Sequence, residues 1–404
     1  MSEERNLNGI KVLDFSRVLA GPYLTQMLCD LGAEVIKIEQ PGLGADERHM
    51  SPIIDGQSGF FMMLNRGKQS LTLNLKSEEG RAIALDLVQQ SDIVVENYKP
   101  GVMKSLGLSY DDLKSVKPDL IMCSISTFGQ EGPDAGRPGY DIVAQATSGL
   151  LWMTGDTDRP PMRSGTSIGD VNAGAHALGA ILAALYYREK TGKGQYIDIA
   201  MRDCLSAIME TAIPRYTMSH GSDKPHRSGA HHAQMAPYGV FDAGNDHYIV
   251  LGALNEAIWG RLCTVIGRPD MIKDPRFVGT TRRGSDPETR RLVTSAIEDW
   301  LKTHENLQDA LDRLDEAKVP AAAVFTIEQL VNDPQFLMRD MLVEVEDPVF
   351  GKVTLPATSM RFSETTVVNP APPPTLGQHT ETILRERLGL SEERMVELRD
   401  HGVI

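Results

Sequence analysis

The first 130 residues alternate strand and helix signals, and this alternation restricts the fold more than any other feature of the chain. Ile10 to Phe15 (IKVLDF) is a short apolar run. A helical pattern, Tyr23 to Leu31, follows the turn residues Gly21 and Pro22. GAEVIKIE then places Val35, Ile36 and Ile38 in a second strand, and Ser70 to Leu75 (SLTLNL) alternates like a third. Lys76 to Gln90 reads as an amphipathic helix, with Ser77 placed to cap it and Glu78 and Glu79 in its first turn. Asp92 to Glu96 (DIVVE) and Leu120 to Ile125 (LIMCSI) are further buried strands. Strands separated by helices predict an α/β fold with a parallel sheet and right-handed crossovers. Ligands of such sheets bind in loops at the carboxyl ends of the strands. The ENYKPG segment, with Asn97 and Tyr98, sits in such a loop.

The second half is organised differently. A long helix is expected from about Val171 to Lys190, with Asp170 at its N-cap and TGKG ending it. Tyr196 to Met201 reads as a strand and Asp203 to Met218 as a helix. From Ser219 the chain turns polar and rich in Gly, Pro and His, which predicts a loop. A hairpin follows, Tyr238 to Phe241 with His247 to Leu251, joined by Asp242 to Asp246. Helices run to about Ala317, and Val319 to Phe325 opens another α/β segment. Asn369 to Leu376 (NPAPPPTL) is a Pro-rich connector.

Charge narrows the function. Lys plus Arg total 41 against 55 Asp plus Glu, a net charge of −14. That balance argues against nucleic acid and against an anionic membrane surface as partners. A local pocket for a small anion remains compatible with it. No apolar stretch reads as approaching the roughly 20 residues of a membrane span. The polar start, MSEERNLNG, reads as neither signal nor transit peptide. Cys29, Cys123, Cys204 and Cys263 are far apart and read as buried free thiols in a reducing, cytoplasmic setting.

Several motifs compete for the chemistry. PGLGADER follows a strand but lacks GxGxxG, and no Walker A pattern occurs, which disfavours NAD, FAD and P-loop nucleotides. GTSIG (Gly165 to Gly169) matches the nucleophile elbow around Ser167, but DRPPMRS before it is a poor strand. His226, His231 and His232 lack partners at metal-site spacing, so no metal is expected. Asp170 reads first as a helix cap. Its alternative role is a nucleophile among glycines and helix N-terminal amides, which would stabilise an oxyanion or anhydride.

Longer segments then resemble one family. VLDFSRVLAGPYLTQMLCDLGAEVIKIEQPG, NRGKQSLTLNLKSEEG, VENYKPG, GYDIVAQATSGL, GDVNAGAHALGAILAALYYREKTGKGQYIDIAM and LGQHTETIL resemble, in order, the family III CoA-transferases (CaiB/BaiF family). The resemblance runs from about Ile10 to the C-terminus. It implies that Asp170 is the nucleophile, passing through mixed anhydrides and an aspartyl-CoA thioester. It implies CoA or acyl-CoA as substrate, with no permanently bound cofactor. Carried over by motif, the CoA contacts are Val18, Leu19 and Ala20 after the first strand, and Leu73 and Leu75 at the adenine region. Asn97, Tyr98 and Tyr140 complete them, with Lys104 and Arg137 as nearby cations for the phosphates. Gln40 departs from a basic residue often found in the family. The family's racemases carry a His where this chain has Tyr140, so transfer is favoured over racemisation or epimerisation. SGAHHAQMAPYG replaces the glycine-rich loop of the oxalate and formate members, and the run is closer to members using succinate and glutarate. The resemblance also implies a Rossmann-like large domain (1–221 and 325–404) and a smaller α+β domain (222–324). Two such chains are expected to interlock like ring links in a homodimer.

Overall fold

The computed structural model describes residues 5–367 and 371–404. Asn369 and Pro370 of the Pro-rich connector lie outside the described residues. The chain divides into two compact units, one of Met1–Ser148, Gly165–Met209 and Pro334–Ile404, the other of Gly149–Ser164 and Glu210–Asp333.

The first unit is built on a six-stranded sheet: β1 (Lys11–Asp14), β2 (Glu34–Glu39), β3 (Gln69–Thr72), β4 (Ile93–Glu96), β5 (Ile121–Ser126) and β6 (Tyr196–Ala200). The strands lie in the order β3-β2-β1-β4-β5-β6, every neighbouring pair parallel. This is the doubly wound order, and its direction reverses between β1 and β4. Strands β4 and β5 are buried along their whole length, as expected of a sheet covered on both faces. Five helices position the site: α1 (Ala20–Asp30), α2 (Glu78–Gln89), α3 (Asp141–Ser148), α4 (Ile168–Thr191) and α5 (Met201–Ala207). Ser77 caps α2 as expected, its Oγ accepting the Gly80 amide at 3.0 Å. Leu13, Ile36, Leu71, Leu87 and Met122 form a core with Leu384, Met395 and Leu398 from the chain's end.

Some boundaries differ from the sequence reading. Strand β3 ends at Thr72, so Leu73 and Leu75 lie beyond it. Asn74 makes the turn, its Oδ1 accepting the Lys76 amide at 3.1 Å. The single helix expected over Asp203 to Met218 breaks in two, α5 and Ala212–Met218. Glu210, at φ +43°, turns the chain between them. Helix α4 starts at Ile168 with Ser167 as N-cap, so Asp170 stands inside the first turn and is not the cap. The expectation that no apolar stretch is long enough for a membrane span also needs correction. Ile168–Thr191 has that length and apolarity, with a mean hydropathy of 1.3. The helix packs on α1 and β5 within the first unit.

In the second unit Tyr238–Gly244, His247–Gly252 and Ala321–Ala323 form an antiparallel three-stranded sheet. Asn245 and Asp246 both adopt positive φ, +52° and +62°. That two-residue turn matches the twist of the strands, so they run closer together than the five-residue loop expected from sequence. Phe241, Ile249, Trp259, Leu262, Ile297 and Leu314 make this unit's own core.

Candidate active site

The sheet reverses direction between β1 and β4, and the loops leaving these strands meet. Asn97, just past β4, accepts the Arg17 amide through Oδ1 at 2.9 Å and donates to the Arg17 carbonyl through Nδ2 at 2.7 Å. Both ends of its amide are therefore spent on holding one loop to the other.

Two adjoining cavities open here. One, about 290 Å³, is lined by Arg17, Val18, Ala20, Asn97, Tyr98, Lys99, Ser126, Thr127, Arg137, Tyr140 and Asp170, among others. The other, about 340 Å³, is lined by residues including Gln40, Asp46, Leu73, Leu75, Lys76, Val102 and Leu106. Arg17, Asp46 and Tyr98 line both, which makes the two into one elongated trough.

Asp170 lines the first cavity from the opening turn of α4. Among the described residues, no hydrogen bond or ion pair to a protein group holds its carboxylate. Burial pushes its pKa up to about 7, with the Asp141 carboxylate adding to the rise. The N-terminal dipole of α4 favours the anion and works against both effects. Asp141 is itself nearly buried. Its Oδ1 accepts the Gly169 amide at 2.7 Å, and its Oδ2 accepts Gln145 Nε2 at 2.6 Å. A Cβ on Gly169 would lie 2.9 Å from that Oδ1, so only glycine allows the approach. Helix α1 begins beside this point. Its N-cap residue, Leu19, gives no side-chain cap bond. Gly174 of α4 sits so near α1 that a Cβ would be 3.0 Å from the Ala20 carbonyl.

The structure therefore brings Val18, Ala20, Asn97, Tyr98, Arg137, Tyr140 and Asp170 around one cavity, with Leu73 and Leu75 around its neighbour. Leu19 is buried at the start of α1 and lines neither cavity. Lys104 is exposed and also lines neither. Arg137 pairs with Asp134 at 2.8 Å. Ser167 stands at the N-cap position of α4 without a side-chain cap bond, and no strand precedes it, so the nucleophile elbow is not formed. The loop histidines have local roles. His226 meets the Trp152 ring edge-on, His231 meets Phe241, and His232 Nδ1 accepts the Gln234 and Met235 amides. Among the described residues, no His, Cys, Asp and Glu cluster could hold a metal ion. The sequence reading missed Arg17, Asp46, Lys76 and Asp141. Gly169, in the first turn of α4 and pressed against α3, was the available signal for Asp141.

A doubly wound sheet with a carboxylate at its point of reversal that meets no partner among the described residues defines an α/β enzyme acting on an elongated ligand. Comparison with known proteins is more specific. The model of CoA-transferase family III matches residues 7–380. The chain belongs to that family and is a CoA-transferase. It is 35% identical, over 100% of its length and 91% of the relative's, to succinyl-CoA:glutarate CoA-transferase of Homo sapiens. It is 39% identical to acetyl-CoA:oxalate CoA-transferase of Acetobacter aceti, over 88% of this chain and 89% of the other. A solved CAIB/BAIF family protein from Brucella suis superposes with a TM-score of 0.83 at 36% identity, covering 95% of this chain and 100% of that one.

Proposed function

We propose that this chain moves CoA from a short dicarboxylyl-CoA, such as succinyl-CoA, to a free short-chain dicarboxylic acid, with Asp170 as nucleophile. The observation that carries this reading is the Asp170 carboxylate, half-buried, without a hydrogen-bond donor among the described residues, and lining the trough where the sheet reverses. The names of the relatives in man and Acetobacter support the class of acid.

The steps are exchanges between activated carboxyls. The Asp170 carboxylate attacks the thioester carbonyl, and CoA thiolate leaves as the mixed anhydride forms. The thiolate attacks the aspartyl carbonyl, giving an aspartyl-CoA thioester and releasing the donor acid. The acceptor carboxylate attacks that thioester, forming a second anhydride and freeing the thiolate again. The thiolate then attacks the acceptor's acyl carbon, and Asp170 is regenerated. The two anhydrides and the thioester all stay covalently attached to Asp170, and a closed site is what keeps water from them. A carboxylate without hydrogen-bond donors is a better nucleophile than a solvated one, and the amides opening α1 suit a developing oxyanion. Arg17, Lys76, Lys99 and Arg137 line the trough, while residues 1–140 hold 14 Lys plus Arg against 19 Asp plus Glu. Attraction for a polyanionic substrate therefore rests on these few placed cations.

The second compact unit serves as the family's smaller domain in this reading, and two chains interlock. Tyr186 on α4 is 67% exposed in the single chain, and Leu182 and Tyr187 lie exposed beside it. That apolar stripe supports a homodimer. Four buried free thiols suit a reducing, cytoplasmic compartment.

A panel of CoA donors against carboxylate acceptors tests the function. Succinyl-CoA with glutarate is expected to give a kcat/KM at least about tenfold above acetate as acceptor. Equal turnover with acetate would remove the dicarboxylate preference, and hydrolysis without any acceptor would remove transfer. Two further outcomes are expected. The acid limb of kcat/KM falls with an apparent pKa near 7, because protonation removes the nucleophile. Limb positions are read from initial rates between pH 5 and 9. Asn97→Ala, which unties the two loops, raises KM for the acyl-CoA about tenfold. Saturation kinetics on the purified variant check it.

A further inference from the structure

A buried charge cluster lies under the trough, and the proposed chemistry leaves it unused. Lys37 of β2 and Glu47 have fully buried side chains paired at 2.7 Å. Asp14, at the end of β1, pairs with Lys68 at 3.2 Å in the same interior. Buried ion pairs are weak stabilisers, since desolvation offsets their attraction. Their other bonds supply a different reason for the cluster. Asp14 Oδ1 accepts the Ser16 amide at 2.9 Å. Lys37 Nζ donates to the Ser16 carbonyl at 2.9 Å. Glu47 Oε2 accepts the Val18 amide at 3.0 Å.

All three bonds end on the main chain of the loop between β1 and α1. Val18 there has φ +66°, in the left-handed region that β-branched residues avoid. The loop folds tightly on α1: a Cβ on Gly21 would fall 2.2 Å from Ser16 Cβ. Glu47 comes from PGLGADER, the segment that fails as a dinucleotide motif. Gly44 turns at φ +75°, and Glu39 then anchors the segment, accepting Ala45 N at 2.9 Å and Arg48 Nε at 2.7 Å. The short 3₁₀ turn Asp46–His49 leaves two consecutive carboxylates facing the loop. Asp46 takes the Arg17 side chain at 3.2 Å, and Glu47 takes the next residue's amide.

We propose that Glu47 is a positioning residue, holding Val18 in its left-handed conformation and so keeping Val18 and Ala20 aligned on the Asp170 cavity. The proposal rests on the reading of that cavity as the acyl-CoA site. Without the acceptor, Val18 relaxes toward negative φ and displaces the start of α1. A displacement of that kind at a reacting centre slows chemistry strongly.

Two double variants isolate the acceptor: Lys37→Met with Glu47→Gln, and Lys37→Met with Glu47→Met. Both remove the Lys37–Glu47 charges at similar volume, which avoids an uncompensated buried charge in that pair. Only the glutamine can still accept the Val18 amide. The methionine pair is expected to show kcat/KM at least about tenfold below the glutamine pair. Adding Val18→Gly to both should shrink that difference to within about threefold, because glycine adopts φ +66° unaided. A role confined to stability would shift Tm and give no such kinetic rescue. Equal kcat/KM in the two pairs, or a gap that survives Val18→Gly, overturns the proposal. Asp170→Ala assayed alongside separates the two readings. Full activity there overturns the nucleophile, whereas an inactive Asp170→Ala with equal pairs overturns only the role of Glu47.

Discussion

Asp170→Asn is expected to lose at least about 10⁴-fold in kcat, because an amide cannot form the anhydride. The same variant is expected to be more stable than the native chain at pH 8. The sign follows from the raised pKa of Asp170, about 7 in the folded chain against an ordinary 3.8. Between those two values the unfolded chain releases this proton and the folded chain keeps it. Stability therefore falls as pH rises through that window and stays reduced above it. The full shift sets a ceiling of about 4 kcal/mol, and partial access of solvent reduces it to the order of 2 kcal/mol. Asparagine escapes that penalty, so its Tm advantage should be about 2 °C at pH 8 and absent near pH 4. Thermal melts of both proteins across pH check it. A variant that is inactive and less stable at pH 8 would make Asp170 a structural group.

Arg66→Ala is expected to give the largest loss of stability. The guanidinium meets Asp30 twice, Nη1 to Oδ1 at 2.5 Å and Nη2 to Oδ2 at 2.6 Å, with both residues buried. Asp30 also accepts Gln26 Nε2 at 3.1 Å. Removing the arginine strands a carboxylate at the end of α1, at a cost of about 3–5 kcal/mol. For a chain of this size that is about 5 °C in Tm. Replacing both partners, Asp30→Leu with Arg66→Met, should recover most of the loss, since no charge is then left buried alone. Urea unfolding of the single and double variants measures it. Because α1 opens beside Asp170, the single variant should also lose activity before it unfolds globally.

What was legible in the sequence follows from the range of each interaction. The ends of β1, β4 and β5 were readable to within about a residue, because apolar runs there meet turn residues directly. The start of α4 was not, because GTSIGD offers two cap residues three apart and only the fold chooses Ser167. That choice moved Asp170 from an explained cap to an unexplained carboxylate. Asp141 and Glu47 were invisible as partners of the site. Their bonds to Gly169 and Val18 span 28 and 29 residues and depend on tertiary packing. Asn97 was readable as a site residue, but its hold on Arg17 became visible only with coordinates. The histidine loop attracted notice by composition, and its rings are engaged with neighbours in the second unit.

The central claim is that CoA passes through a covalent bond to Asp170. Incubation with succinyl-CoA, followed by borohydride or hydroxylamine and peptide mass spectrometry, tests it most directly. The expected result is a modified peptide containing Asp170, absent without the thioester and absent in Asp170→Asn. Transfer activity with an unmodified Asp170 peptide, or an adduct on another residue such as Ser167, would contradict the claim.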